Sequence, residues 1–150
     1  MAIKAEIREK IVTAIDWFVI EKVRQLRKSK FSQKQLSQEI GLSEGYIGRI
    51  ENPNHKAVYN LRHLNLIANV LQVNITELLP KQKLKDDLVK VTFRWLPPSK
   101  KRTGEINYEV IKLTALTREE ISEYNKKILN RPTKSGNPPK LKKRKSSKNK

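Results

Sequence analysis

Residues 31–52, FSQKQLSQEIGLSEGYIGRIEN, constrain the fold more than any other stretch, because they set two short amphipathic runs around one glycine. Ser32 and Gln35 form an S-x-x-Q capping box, in which a hydroxyl and an amide satisfy two backbone N–H groups at a helix start. Leu36 and Ile40 give that helix a buried stripe, and Gly41 stands where a left-handed residue ends it. Ser43 is the expected N-cap of a second helix over 44–51, with Ile47 and Ile50 buried and Pro53 as its stop. Two helices joined through a tight glycine turn make a helix-turn-helix. That geometry asks for a small side chain where the helices cross, which is Ser37, and for buried aliphatics on both sides of the turn.

The flanking segments are read from their periods. Ile3, Ile7, Ile11, Ile15, Phe18, Val19, Val23 and Leu26 recur at spacings of three and four, which predicts helix. Thr13 with Asp16 fits an N-cap signal, so this stripe reads either as one long helix or as two, with 1–17 as an N-terminal helical extension. Leu61, Leu64, Ile67, Ala68 and Leu71 predict a further helix, and Asn74 with Glu77 caps a short last one before Pro80. The helical domain is therefore expected over 18–80.

After residue 84 the period changes to two. Val89, Val91, Phe93 and Trp95 alternate with polar residues, as do Ile106, Tyr108 and Val110, and PPSKKRTG lies between the runs as a hairpin loop. Thr117 with Glu120 caps a helix that runs on to residue 129. A lone hairpin is marginal in water, so its apolar face needs the helical domain, the 117–129 helix or a second copy of the chain. The appendage 84–130 is accordingly the expected site of dimerisation or of a protein partner.

Charge narrows the choice of ligand. The formal net charge is +18, and the last twenty residues hold nine cations and no acid. That segment, 131–150, has one Leu and no aromatic residue, too little apolar surface to offset the entropy of ordering, so it is expected to be a disordered basic tail. A surplus of this size favours a polyanion, nucleic acid before an acidic membrane surface. With no cysteine there is neither a disulfide framework nor a thiolate metal site, and the only histidines, His55 and His63, have no carboxylate at ligand spacing on a shared face. No metal, no cofactor and no membrane partner are expected. No apolar run approaches the ~20 residues that span a bilayer, and the N-terminus lacks the apolar core of a signal peptide, so a cytoplasmic, nucleoid-associated location is expected. No phosphate loop, carboxylate pair or activated nucleophile marks an enzyme.

Taken together, the R-x-L-R run at Arg24 to Arg27, the S-Q start at Ser32, the R-I-E-N end at Arg49 to Asn52, and L-x-x-I-A-N-V-L-x-V-N-I-T-E-L-L resemble the phage repressor and Cro-like (Xre-type) helix-turn-helix proteins. The resemblance covers residues 18–80. It implies a mainly α fold, a lambda-repressor-like bundle of about five helices, here followed by a small β-hairpin plus helix and the tail.

It also implies a double-stranded DNA partner, with helix 44–51 in the major groove. Arg49, Glu44 and Tyr46 are then the base contacts. Arg49 suits guanine O6 and N7 or a phosphate, Glu44 suits cytosine N4, and Tyr46 suits a thymine methyl or a phosphate. Gln33, at a helix start, is a phosphate contact, joined by Ser43, Asn52, Asn54, His55 and Lys56. Ser37 and Gly41 shape the turn, and Arg27 pairs with Glu51 to hold the recognition helix. The expected function is a sequence-specific transcriptional regulator, a repressor acting as a homodimer. An antitoxin-like or co-regulator module on the same fold, and a basic RNA-associated protein, are the competing classes. Co-purification of a protein partner through 84–129, or tighter binding to structured RNA than to duplex DNA, would favour one or the other.

Overall fold

A computed structural model describes residues 6–97, 100–101 and 104–130, so the expected basic tail lies outside the described residues. The chain divides into two compact units, one ending at Leu116 and one beginning at Thr117. The first runs β1 (Ile7–Thr13), α1 (Ala14–Lys28), α2 (Gln33–Glu39), α3 (Tyr46–Glu51), α4 (Leu61–Leu71), a 3-10 turn (Ile75–Leu78), β2 (Leu88–Trp95) and β3 (Tyr108–Ala115).

The N-terminal segment corrects the sequence reading. Within the expected helical extension 1–17, Ile7–Thr13 is a strand and helix begins at Ala14, while residues 1–5 lie outside the described residues. The spacing of four between Ile7 and Ile11 satisfies a period of two as well as one of 3.6, so the two isoleucines do not discriminate between them. Thr13 does cap α1, accepting the Asp16 N–H at 3.1 Å and donating to its carboxylate at 2.6 Å.

The hairpin is correspondingly a three-stranded antiparallel sheet in the order β1-β2-β3. Val12 pairs with Val89 and Lys10 with Val91, and a register shift at Thr92/Phe93 lets Trp95 meet Tyr108. Its buried face, Val12, Val89, Val91, Phe93 and Tyr108, packs with Trp17 of α1. Of the three covers the sequence allows for this face, the helical domain supplies one through Trp17 of α1. The 84–130 appendage is not one piece: its strands fold with the helical domain, and only its helix belongs to the second unit.

The helical core is built from Ile20 and Val23 of α1, Leu36 of α2, Ile47 and Ile50 of α3, and Ile67 and Leu71 of α4, all essentially inaccessible. In the second unit, α5 (Arg118–Leu129) starts at the anticipated Thr117/Glu120 capping box and buries no residue.

Candidate nucleic-acid interface

The turn between α2 and α3 is held by Ser37. Its hydroxyl donates to the Gln33 carbonyl at 2.8 Å and accepts the Ile47 N–H at 3.1 Å, tying the first helix to the second. Ser37 is fully buried, so a larger side chain has no room there. Gly41 has φ +73°, a conformation an L side chain resists. The Ser32/Gln35 capping box is formed in both directions.

Arg27 and Glu51 meet as their resemblance-based roles imply. Nε donates to Oε1 at 2.8 Å and Nη2 to Oε2 at 2.7 Å, a bidentate pair with both side chains at or below 1% exposure. Burial by itself would lower the Arg27 guanidinium, but the hydrogen bonds and charge of Glu51, with Glu105 adding, hold it above its ordinary value. Arg27 also donates to the Phe31 carbonyl at 3.0 Å, which fixes the chain entering α2. Removing one partner of such a pair costs about 3–5 kcal/mol because the other charge is stranded.

Gln33 departs from its expected place. Its side chain is buried, and Nε2 donates to Glu51 Oε2 at 2.8 Å rather than facing outward as a phosphate clamp. Gly48 makes room for this, since a Cβ there would stand 3.2 Å from Gln33 Oε1. The Gln33 backbone N–H donates to the carboxylate of Glu105 at 2.6 Å.

The helix expected over 44–51 begins later, at Tyr46. Ser43 is not its side-chain N-cap: a turn from the Ser43 carbonyl to the Tyr46 N–H at 2.9 Å comes first, and Gly45 occupies the cap position without a side-chain bond. The Ser43 hydroxyl instead accepts from Arg49 Nη2 at 3.2 Å. Arg49 is exposed, on the side away from Ile47 and Ile50. Glu44 is exposed too, pairing with Lys34 at 3.2 Å and accepting from Gln38 at 3.1 Å.

Tyr46 does not project outward as anticipated. It is four residues before Ile50 and so shares that residue's face. Its hydroxyl meets Nδ1 of His63 on α4, and its ring lies edge-on to His63, with centroids 4.9 Å apart, and near Tyr59. Burial raises the Tyr46 phenol above its ordinary value, with Arg49 opposing.

The loop after α3 is organised. Asn52 Oδ1 accepts the Asn54 N–H at 2.9 Å, and the His55 carbonyl accepts Lys10 Nζ of β1 at 2.8 Å. Burial pulls the Lys10 ammonium down, with Asp16 opposing. The side chains of Asn54, His55 and Lys56 remain exposed.

Four residues that sequence reasoning missed thus shape the site. Glu105 and Lys10 come from segments distant in sequence, and His63 answers Tyr46 from α4. Asn107 accepts from Arg24 Nη2 at 2.7 Å. None has a local signal, because each matters only through a partner brought up by tertiary folding. Among the described residues no helix is long and apolar enough to cross a membrane, and no group of side chains is arranged to hold a metal ion.

A search of curated proteins found no match to the chain. A family model described as Helix-turn-helix matches residues 20–78, from the second turn of α1 through the 3-10 turn. Those residues hold the Ser37-tied turn, the Arg27–Glu51 pair and the exposed Arg49. Through them residues 20–78 form a helix-turn-helix domain similar to those of the phage repressor and Cro-like (Xre-type) proteins, which supports a DNA-binding regulator in general.

Proposed function

We propose that the protein is a sequence-specific double-stranded DNA-binding transcriptional regulator that places α3 in the major groove. The observation that carries this reading is Arg49: an exposed guanidinium on the outward edge of a helix that the buried Arg27–Glu51 pair holds in place. Base reading needs side chains at fixed positions, and phosphate contacts supply the register. Arg49 exchanges its Ser43 partner for guanine O6 and N7, and Glu44 accepts from cytosine N4. Tyr46 serves by seating α3 on α4. Ser43, Asn54, His55 and Lys56 run along the phosphates with the side-chain amide N–H of Asn52, while Gln33 contributes its backbone N–H. Bound as a homodimer to a palindrome, with half-sites about 34 Å apart, the protein would occupy an operator in the cytoplasm and act as a repressor.

The test is selection of preferred duplexes from a random pool, followed by Arg49→Ala. The substitution is expected to cost about 1–3 kcal/mol on the preferred duplex and to relax choice at particular base pairs. A uniform loss on all sequences would make Arg49 a phosphate contact, and a pool that yields no preferred duplex would reject the reading.

A further inference from the structure

The segment between β2 and β3 brings an acid onto the interface. Glu105 Oε1 accepts the Gln33 N–H at 2.6 Å and lies 3.4 Å from Nη1 of Arg27. The carboxylate is largely enclosed, its side chain 16% exposed. It borders the same open groove as Gln33, Gly48, Arg49 and Lys101. The segment carrying it is anchored: Asn107 Oδ1 and the Tyr108 carbonyl both accept from Arg24 Nη2, at 2.7 Å and 2.9 Å, and the Asn107 carbonyl accepts the Leu96 N–H at 3.0 Å. Gly104, with φ +88°, turns the chain just before the acid.

We propose that Glu105 is an intramolecular competitor of the DNA backbone, holding the Gln33 N–H that a phosphate would otherwise take, so that tight duplex binding requires residues 104–107 to withdraw. This rests on the reading of Gln33 as a phosphate contact. A carboxylate and a phosphate oxygen are both anionic acceptors, and one N–H serves only one of them well. Two anions at one donor also repel, which makes the two contacts exclusive rather than merely crowded. Any factor that draws the 104–107 segment away raises affinity for every duplex alike, since a phosphate contact carries no base information.

The experiment compares the full chain with Glu105→Gln by fluorescence anisotropy on a selected duplex and on a scrambled one, across a salt series. Glutamine keeps the size and an acceptor oxygen but drops the charge. The expected result is binding tighter by about tenfold on both duplexes, the weight of one charge-assisted hydrogen bond. The selected sequence is expected to stay the same, and the salt slope to steepen by about 0.9, one further phosphate engaged. Asn107→Ala, which loosens the anchor and leaves Glu105 in place, is expected to shift affinity in the same direction by less. Thermal melts of both variants verify folding. Unchanged or weaker binding by the folded Glu105→Gln protein, with the parent still selecting its duplex, overturns the proposal and leaves the DNA reading intact, with Glu105 then a strut for α2. No binding by either protein overturns both. Binding by Glu105→Gln alone supports both.

Discussion

The two hydrophobic cores of the first unit meet on α1 and are made in opposite ways. The helical core gathers side chains from elements that follow one another within residues 19–78. The sheet core is smaller, takes Val12 from before α1 and its other strand residues from beyond 88, and borrows Trp17 from α1. Two arginines one helical turn apart show the same contrast. Arg27 turns to the helical side and is matched by a carboxylate. Arg24 turns to the sheet, where it lies 3.9 Å over the Tyr108 ring and its Nη2 bonds the neutral Asn107 and Tyr108 oxygens, with only the half-buried Glu21 carboxylate 3.4 Å from Nη1. The helical side is closed by local sequence, whereas the sheet must first close a loop that spans the whole helical domain. Loop closure has to precede the reward from those long-range contacts.

That difference can be broken at several strengths. The largest effects are expected from Phe93→Ala in the sheet and Glu51→Ala in the helical half, each costing about 3–5 kcal/mol, by cavity formation in one case and a stranded guanidinium in the other. Because α1 serves both cores, each variant is expected to melt in one transition followed equally by circular dichroism and tryptophan fluorescence. Two separate transitions would mean that the cores are independent.

Ser37→Leu strikes the helical side alone. Overpacking the helix crossing is expected to cost about 1–3 kcal/mol and to weaken DNA binding together with the melting temperature. An unchanged melt would mean that α2 and α3 are not pressed together at Ser37.

The smallest effect is expected at Tyr59, whose buried hydroxyl has no hydrogen-bond partner among the described residues. Tyr59→Phe is therefore expected to be neutral or to stabilise by less than about 1 kcal/mol near neutral pH. Burial also pushes the Tyr59 phenol well above its ordinary value, as it does Tyr108 on the sheet side. Above about pH 10 the unfolded chain releases phenolic protons that the folded chain keeps, so stability is present below that pH and declines as pH rises. Urea titrations from neutral pH to about pH 11, past the ordinary phenol value, should show that decline flattened in Tyr59→Phe and in Tyr108→Phe. A parental decline that neither variant alters would assign the alkaline loss to other groups.

Much of the helical half was legible because its signals are short-range. A capping box spans three residues, a glycine stop needs only its own φ, and Ile47/Ile50 declare a face by spacing alone. The same shortness explains two misreadings. The rule that places i and i+4 on one face puts Tyr46 with Ile50, against α4, and only the presence of His63 and Tyr59 there makes that inward position favourable. Ile7 and Ile11 match helix and strand periods equally, and the choice fell to β2, whose open edge gives Ile7–Thr13 a row of backbone partners.

The sequence by itself determined the helix-turn-helix, its small residue at the crossing, its glycine turn and its outward Arg49, since each is fixed by neighbours within a few residues. Only the tertiary structure decided that Ile7–Thr13 is a strand, that Trp17 closes the sheet, that Gln33 turns inward to Glu51, and that Glu105 rests on the Gln33 N–H. Those outcomes depend on which buried polar groups and open strand edges find partners far along the chain, and hydrogen-bond satisfaction at such distances leaves no periodic trace in sequence.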